Sequence, residues 1–300
     1  MSLDWAAKGD VMHKTAMALA ALAGIATAAA AAPLSRAIVD PPRDAAFPAH
    51  NQQLLIPSHG VGMNALLFVA AGRGPHPTVI LMHGLPGNER NLDLAQAIRR
   101  AGWDCLTFTY RGAWGSPGDF SISNAMEDTA AALDFARSPA GAKYGIDARH
   151  IVLAGHSMGG ATATMTAAGT SGLEGLILID PWNPAAGTSK GATTRDQLVK
   201  AFDDFGNSLH GATPESVASD AAANRSKWDL VQAARHLSGL PVLMLTARYG
   251  IGDRDRPVTE AMHSVGTRVT AIQMDTDHSF SDHRIALSEA VVDWLGRLPR

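Results

Sequence analysis

The chain has 300 residues, 46% hydrophobic and 18% charged, the balance of a protein that buries a sizeable core rather than of a disordered or fibrous one. Its 25 Lys and Arg stand against 28 Asp and Glu, a net charge of −3, which offers no basic field to nucleic-acid phosphates and excludes nucleic acid as a partner. A single cysteine, Cys105, excludes an intramolecular disulfide framework, a CxxC redox centre and a multi-cysteine zinc site.

Residues 1–32 read as a secretory signal peptide. Lys8, His13 and Lys14 form a weakly positive start, Thr15 to Ile25 an apolar run, and Ala26 to Ala32 a small-residue tract with several A-x-A cleavage options. Pro33 disfavours a cut directly after Ala32 and moves it toward Ala28 to Ala30. Met12 is an alternative start, since Asp4 and Asp10 are unusual in such a leader. An uncleaved anchor and an Ala-rich tail are the competing readings, and the weak apolarity of alanine favours cleavage. The expectation is an exported protein, periplasmic or secreted, with no stable membrane insertion once the signal is removed. Residues 33–50 follow as a leader segment.

From residue 51 the pattern alternates strand and helix, which predicts an α/β fold with a mostly parallel sheet. Gln52 to Ile56 and Met63 to Ala70, joined across His59-Gly60, predict an N-terminal hairpin. Thr78 to Met82 is a continuous apolar run, the pattern of a strand buried on both faces. Cys105 to Tyr110, His150 to Ala154, Leu176 to Ile179, Val242 to Thr246 and Val269 to Met274 continue the sheet. Leu92 to Ala101, Ala125 to Arg137, Ala161 to Ala168 and Ile285 to Leu298 carry apolar residues at helical spacing. Residues 184–236 break the rhythm: they hold no predicted strand, only helix-like stretches over Asp196 to Leu209 and Pro214 to Leu237. An insertion of that length in a compact domain is expected to act as a lid.

Directly after the strand His150 to Ala154 stands Gly155-His156-Ser157-Met158-Gly159-Gly160, followed by a helix-compatible run. G-x-S-x-G between a buried strand and a helix is the pattern of a nucleophile elbow, with Ser157 lifted on a sharp turn. The following helix directs its N-terminal N–H groups at the same place, favouring an oxyanion there. His83-Gly84-Leu85-Pro86-Gly87 follows the first parallel strand, and the oxyanion donors are expected to be the N–H groups of Leu85 and Met158. A serine hydroxyl needs a base and an orienting carboxylate later in the chain. His278, in Asp277-His278-Ser279-Phe280, is the expected base, with His283 its rival. For the acid, the loop Arg248 to Pro257 offers Asp253, which is preferred, and Asp255 as the alternative. Asp180, at the tip of Leu176 to Ile179, is a third candidate, read first as a pocket or loop-orienting residue. His83, His156, Trp114 and Trp182 are the candidate pocket residues, and Cys105 is a buried core thiol.

The segments HGLPGNERNLDLAQ, YRGAWGSPG, GHSMGG and TDHSF, in this order, resemble the α/β-hydrolase superfamily. More narrowly they resemble its bacterial serine hydrolases of the dienelactone-hydrolase-like, prolyl-oligopeptidase-like and serine-aminopeptidase-like branch. The resemblance runs from about residue 52 to the C-terminus. It implies an eight-stranded, mostly parallel sheet flanked by helices, a triad of Ser157, His278 and Asp253, and a helical insertion after the sixth strand. Two aspartates in a basic setting depart from the family's usual acid loop and leave that position open. Ser157 rather than Asp at the elbow disfavours epoxide-hydrolase and dehalogenase chemistry.

The expected reaction is cleavage of a carboxylic ester through an acyl-enzyme on Ser157. Amidase or aminopeptidase-like hydrolysis and acyl transfer are alternatives with the same triad, and a non-catalytic binding module is the reading least favoured. The expected substrate is a small-molecule ester or short peptide. No cofactor is expected, and no metal, since the 12 histidines form no H-E-x-x-H or comparable ligand spacing.

Overall fold

The computed structural model describes residues 35–188, 191–203 and 208–299; the expected signal peptide lies outside them. An antiparallel hairpin, β1 (His50–Ser58) and β2 (Val61–Val69), turns at His59-Gly60 and opens the sheet. The parallel strands are β3 (His76–Met82), β4 (Asp104–Phe108), β5 (Ile146–His156), β6 (Gly175–Ile179), β9 (Pro241–Tyr249) and β10 (Arg268–Asp277). With β1 and β2 they form one sheet in the order β1-β2-β4-β3-β5-β6-β9-β10, antiparallel only where β1 meets β2 and β2 meets β4. The apolar runs read from the sequence are these central strands, and β4 and β6 are buried at every position.

Two cores follow from the two faces of the sheet. On one, α1 (Leu92–Arg100) and α9 (Arg284–Leu295) bring Leu94, Ile98, Leu287 and Val291 onto Val79, Val152, Ile177 and Leu243. On the other, α2 (Ile122–Arg137), α4 (Met158–Ala168), α7 (Leu230–Ala234) and α8 (Arg256–Ser264) cover Ile80, Leu153, Leu178 and Met244. Strand residues alternate between the two cores, as the period of two demands. Before β1, Ala37 packs on Ala97 of α1 and on Ala101 directly after it, so this part of the leader belongs to the folded body.

The short helix α3 (Pro139–Ala142) leads into β5. The 184–236 interval holds a two-stranded hairpin, β7 (Gly187–Thr188) with β8 (Gly191–Ala192), then α5 (Arg195–Phe202), α6 (Pro214–Ala223) and α7. The hairpin corrects the expectation of a strand-free insertion. The two long helical stretches are three short helices, each set by its own cap: Thr194 and Thr213 form capping boxes with Gln197 and Ser216, and Asp229 caps α7. The helix α8, which carries Pro257 in its first turn, was not expected from the sequence. Among the described residues no helix is long and apolar enough to cross a membrane.

Candidate active site

Ser157 sits between β5 and α4 at φ 54°, ψ −119°, a conformation that costs a non-glycine residue on the order of 1–3 kcal/mol. The surroundings over-determine it. Its N–H donates to Ile179 O at 3.0 Å, and its carbonyl accepts from Trp182 N–H at 2.9 Å and Gly160 N–H at 2.9 Å. A Cβ at Gly155 would fall on the Gly159 carbonyl, and one at Gly159 on the Met82 carbonyl, so strand, helix and the end of β3 approach as no other residue would allow. Met158 is the first residue of α4, so its N–H has no intrahelical acceptor. Gly84 brings the loop after β3 alongside: a Cβ there would lie 2.9 Å from Ser157 Cβ. The neighbouring Leu85 is half-buried.

His278 follows β10 on a loop fastened at both ends. Asp277 Oδ1 accepts the N–H groups of Ser279 (3.1 Å) and Ser281 (2.9 Å), and Phe280, at φ 55°, is fully buried against the α1/α9 face. Burying such a ring contributes about 1.5–3 kcal/mol, which anchors the residue two positions from the imidazole. His156, beside Ser157, donates from Nε2 to the His278 carbonyl at 2.8 Å, and the two rings lie 4.6 Å apart. Burial pushes His156 down to about 4, with the nearby His278 acting in the same direction, so it is a neutral brace.

The carboxylate facing His278 is Asp180: Oδ2 lies 2.5 Å from His278 Nδ1. A carboxylate only accepts, so Nδ1 carries the proton and Nε2 is the free lone pair. Asp180 follows β6 at φ 42° and is fully buried. Its other partners come from the end of β9 and the loop after it: Ala247 N–H on Oδ1 at 3.1 Å and Ile251 N–H on Oδ2 at 2.9 Å. A Cβ on Gly250 would fall on Asp180 Oδ2, and one on Gly252 would lie 3.1 Å from Oδ1. The Tyr-Gly-Ile-Gly run therefore cradles the carboxylate of a neighbouring strand instead of presenting its own.

That geometry corrects both expected acids. Asp255 is 1% exposed and neither of its oxygens has a hydrogen-bond partner; burial and the charge of Asp180 push it up to about 8. Asp253 lies on a 3-10 turn, Gly252–Arg254, and its side chain is outside the described residues. The third candidate takes the place because β6 and β9 are adjacent, so the tip of one and the loop of the other close around the same point. The His283 ring turns to Asp282, 2.9 Å away, and the residue stands at the start of α9 without a side-chain cap.

The expected pocket residues divide. Trp182 is half-buried beside Ser157 and meets Phe202 of α5 edge-on, ring centroids 6.0 Å apart. His156 braces His278 instead of lining a pocket. His83 is buried with Nδ1 on the Gly84 carbonyl at 2.7 Å, and burial lowers it to about 4. Trp114 is 40% exposed and donates from Nε1 to the Pro86 carbonyl at 2.8 Å. Arg111, in the same loop, is held by Asp128 (2.6 Å) and Glu127 (2.6 Å) and has a packing role. Cys105 is buried in β4, as its sequence context implies. Among the described residues no group of side chains could hold a metal ion.

Residues 79–290 match the model of the alpha/beta hydrolase family. The chain belongs to that family. It shares its fold with an esterase from the hyperthermophilic archaeon Pyrobaculum calidifontis, at TM-score 0.64 and 21% identity over 83% of this chain and 86% of that one. Est1E from Butyrivibrio proteoclasticus, with ferulic acid bound, superposes at TM-score 0.60, with 17% identity over 82% of this chain and 98% of the other. The chain is also 31% identical over 196 residues to the quorum-quenching protein AidA of Acinetobacter baumannii, spanning 62% of its own length and 62% of that relative's.

Proposed function

We propose that the chain is a serine hydrolase that cleaves a carboxylic ester through an acyl-enzyme on Ser157. The observation that carries the reading is the 2.5 Å contact of His278 Nδ1 with Asp180 Oδ2, at the strand ends where Ser157 stands on its turn. Asp180 fixes the tautomer and stabilises the imidazolium; His278 Nε2 takes the Ser157 proton and returns it to the leaving alcohol. The N–H groups of Met158 and Leu85 receive the oxyanion, each such donor contributing on the order of 3 kcal/mol to the transition state. A water activated by His278 then releases the acid.

The insertion over 184–236 acts in this proposal as a lid. It follows Trp182, whose N–H is bonded to Ser157, and midway along it Leu209 bridges to Ala113. Phe202→Ala is expected to shift the preferred acyl length while leaving the rate on the shortest ester within about threefold. Export belongs to the same proposal, supported by the uncharged stretch between Lys14 and Arg36; the mature protein is expected to begin near Ala28 to Ala30 by N-terminal sequencing.

The test is a panel of p-nitrophenyl esters of rising chain length, lactones and aminoacyl-nitroanilides. Ester or lactone turnover is expected, lost by about 10⁴-fold or more in Ser157→Ala and His278→Ala and kept in His283→Ala. Equal rates for wild type and Ser157→Ala would reject the nucleophile, and turnover of nitroanilides alone would move the reading to an amidase.

A further inference from the structure

Between the β1–β2 hairpin and the loop that follows β3 lies a cavity of about 570 Å³, within the size range of small-molecule sites. Its walls include Leu55 of β1, Leu66 of β2 and Leu92 at the start of α1, with Arg90, Trp114 and His83 around them. Neither Ser157, Asp180 nor His278 lines it. Leu55 is 61% exposed, Trp114 40% and Leu92 37%, three large apolar side chains left in water around a single concavity. Solitary exposed leucines are ordinary, whereas a clustered apolar patch marks a site of interaction.

The charge in this cavity is one-sided. No Asp or Glu lines it. Arg90 lies over the Trp114 ring, 5.5 Å from the centroid, which leaves its in-plane N–H donors available. The adjacent acid, Glu89, turns instead to Arg284 at 3.9 Å, and Arg90 forms no ion pair among the described residues. His83 Nε2 is buried without a partner, so one polar atom of the lining residues is also unsatisfied.

We propose that this cavity binds an amphipathic carboxylate, an alkyl or aryl acid, with the carboxylate on Arg90 and the apolar body along Leu55, Leu66 and Leu92, apart from Ser157. The bidentate fit of guanidinium to carboxylate supplies the head-group recognition. Occupancy bears on the loop after β3, because Trp114 holds the Pro86 carbonyl and a Cβ on Gly87 would lie 2.5 Å from Trp114 Nε1. Leu85 stands in that loop.

The test is titration of the full-length chain with sodium decanoate, followed by calorimetry, beside decanamide as an uncharged control. Saturable binding of decanoate is expected, at least tenfold tighter than decanamide. Arg90→Gln and Leu55→Glu are each expected to weaken it about tenfold or more, while Trp182→Ala, beside Ser157, leaves it unchanged. Leu55 is exposed on β1, so its variant reports even where Arg90→Gln lowers stability. Absence of saturable binding, wild-type affinity in both cavity variants, or loss in Trp182→Ala with retention in Leu55→Glu would each overturn the assignment.

Discussion

The tip of β6 and the loop after β9 each bury an aspartate, at 0% exposure for Asp180 and 1% for Asp255, yet the two carboxyls stand in opposite conditions. Asp180 receives two backbone N–H groups and the His278 ring, and glycines at 250 and 252 clear the space its oxygens fill. Asp255 receives no donor, and its carboxyl is pushed up to about 8. Burial alone makes an aspartate expensive to ionise; donors arranged around it make it usable as an anion beside an imidazole. The aspartate in the loop after β9 is thus the unsupported one, and the aspartate after β6 borrows its donors from the neighbouring strand and its loop.

The strongest perturbation short of removing the carboxylate is to crowd it. Gly250→Ala places a methyl on Asp180 Oδ2 and is expected to lower kcat about 100-fold with little change in KM, measured by steady-state ester hydrolysis. Full activity would break the comparison. Next is the brace on the base. His156→Phe removes the donor to the His278 carbonyl and is expected to cost about tenfold in kcat and on the order of 1–3 kcal/mol of stability, read from kinetics and urea unfolding.

The smallest effect on rate falls on the unsupported aspartate. Asp255 binds its proton more tightly folded than unfolded, so the native state loses stability as pH rises from about 4 to about 8 and holds the full deficit above that. Asp255→Asn is expected to leave kcat within about threefold. Its melting temperature should match wild type near pH 4 and exceed it at pH 9 by roughly 5 °C, about 2 kcal/mol for a domain of this size. His156 and His83 titrate in the opposite sense: both are held near 4 in the fold, so stability is lost as pH falls from about 6.5 through 4. His156→Phe should flatten part of that acid limb, as thermal melts between pH 4 and 7 would record.

What the sequence made legible follows from where the determining contacts lie. Val79 to Met82 and Leu176 to Ile179 are strands because continuous apolar runs need burial on both faces, a local signal. Ser157 and His278 are marked by short-range turn chemistry, the glycines of the elbow and the Asp277 turn. Asp180 carries no such mark. Its donors lie 67 and 71 residues away and converge only through the pairing of β6 with β9, and the glycines that serve it read locally as an acid loop of their own. The same limit hid the cavity beside Arg90, whose walls come from separate strands and loops, and the two-residue strands of the insertion, which are too short to leave a period.

The most direct test of the assignment is the pair Asp180→Asn and Asp255→Asn, compared by kcat on one p-nitrophenyl ester at neutral pH. Loss of the carboxylate that holds His278 is expected to lower kcat by about 10³–10⁴ in Asp180→Asn, with Asp255→Asn near wild type. The reverse order, or equal losses, would contradict the placement of Asp180 behind His278.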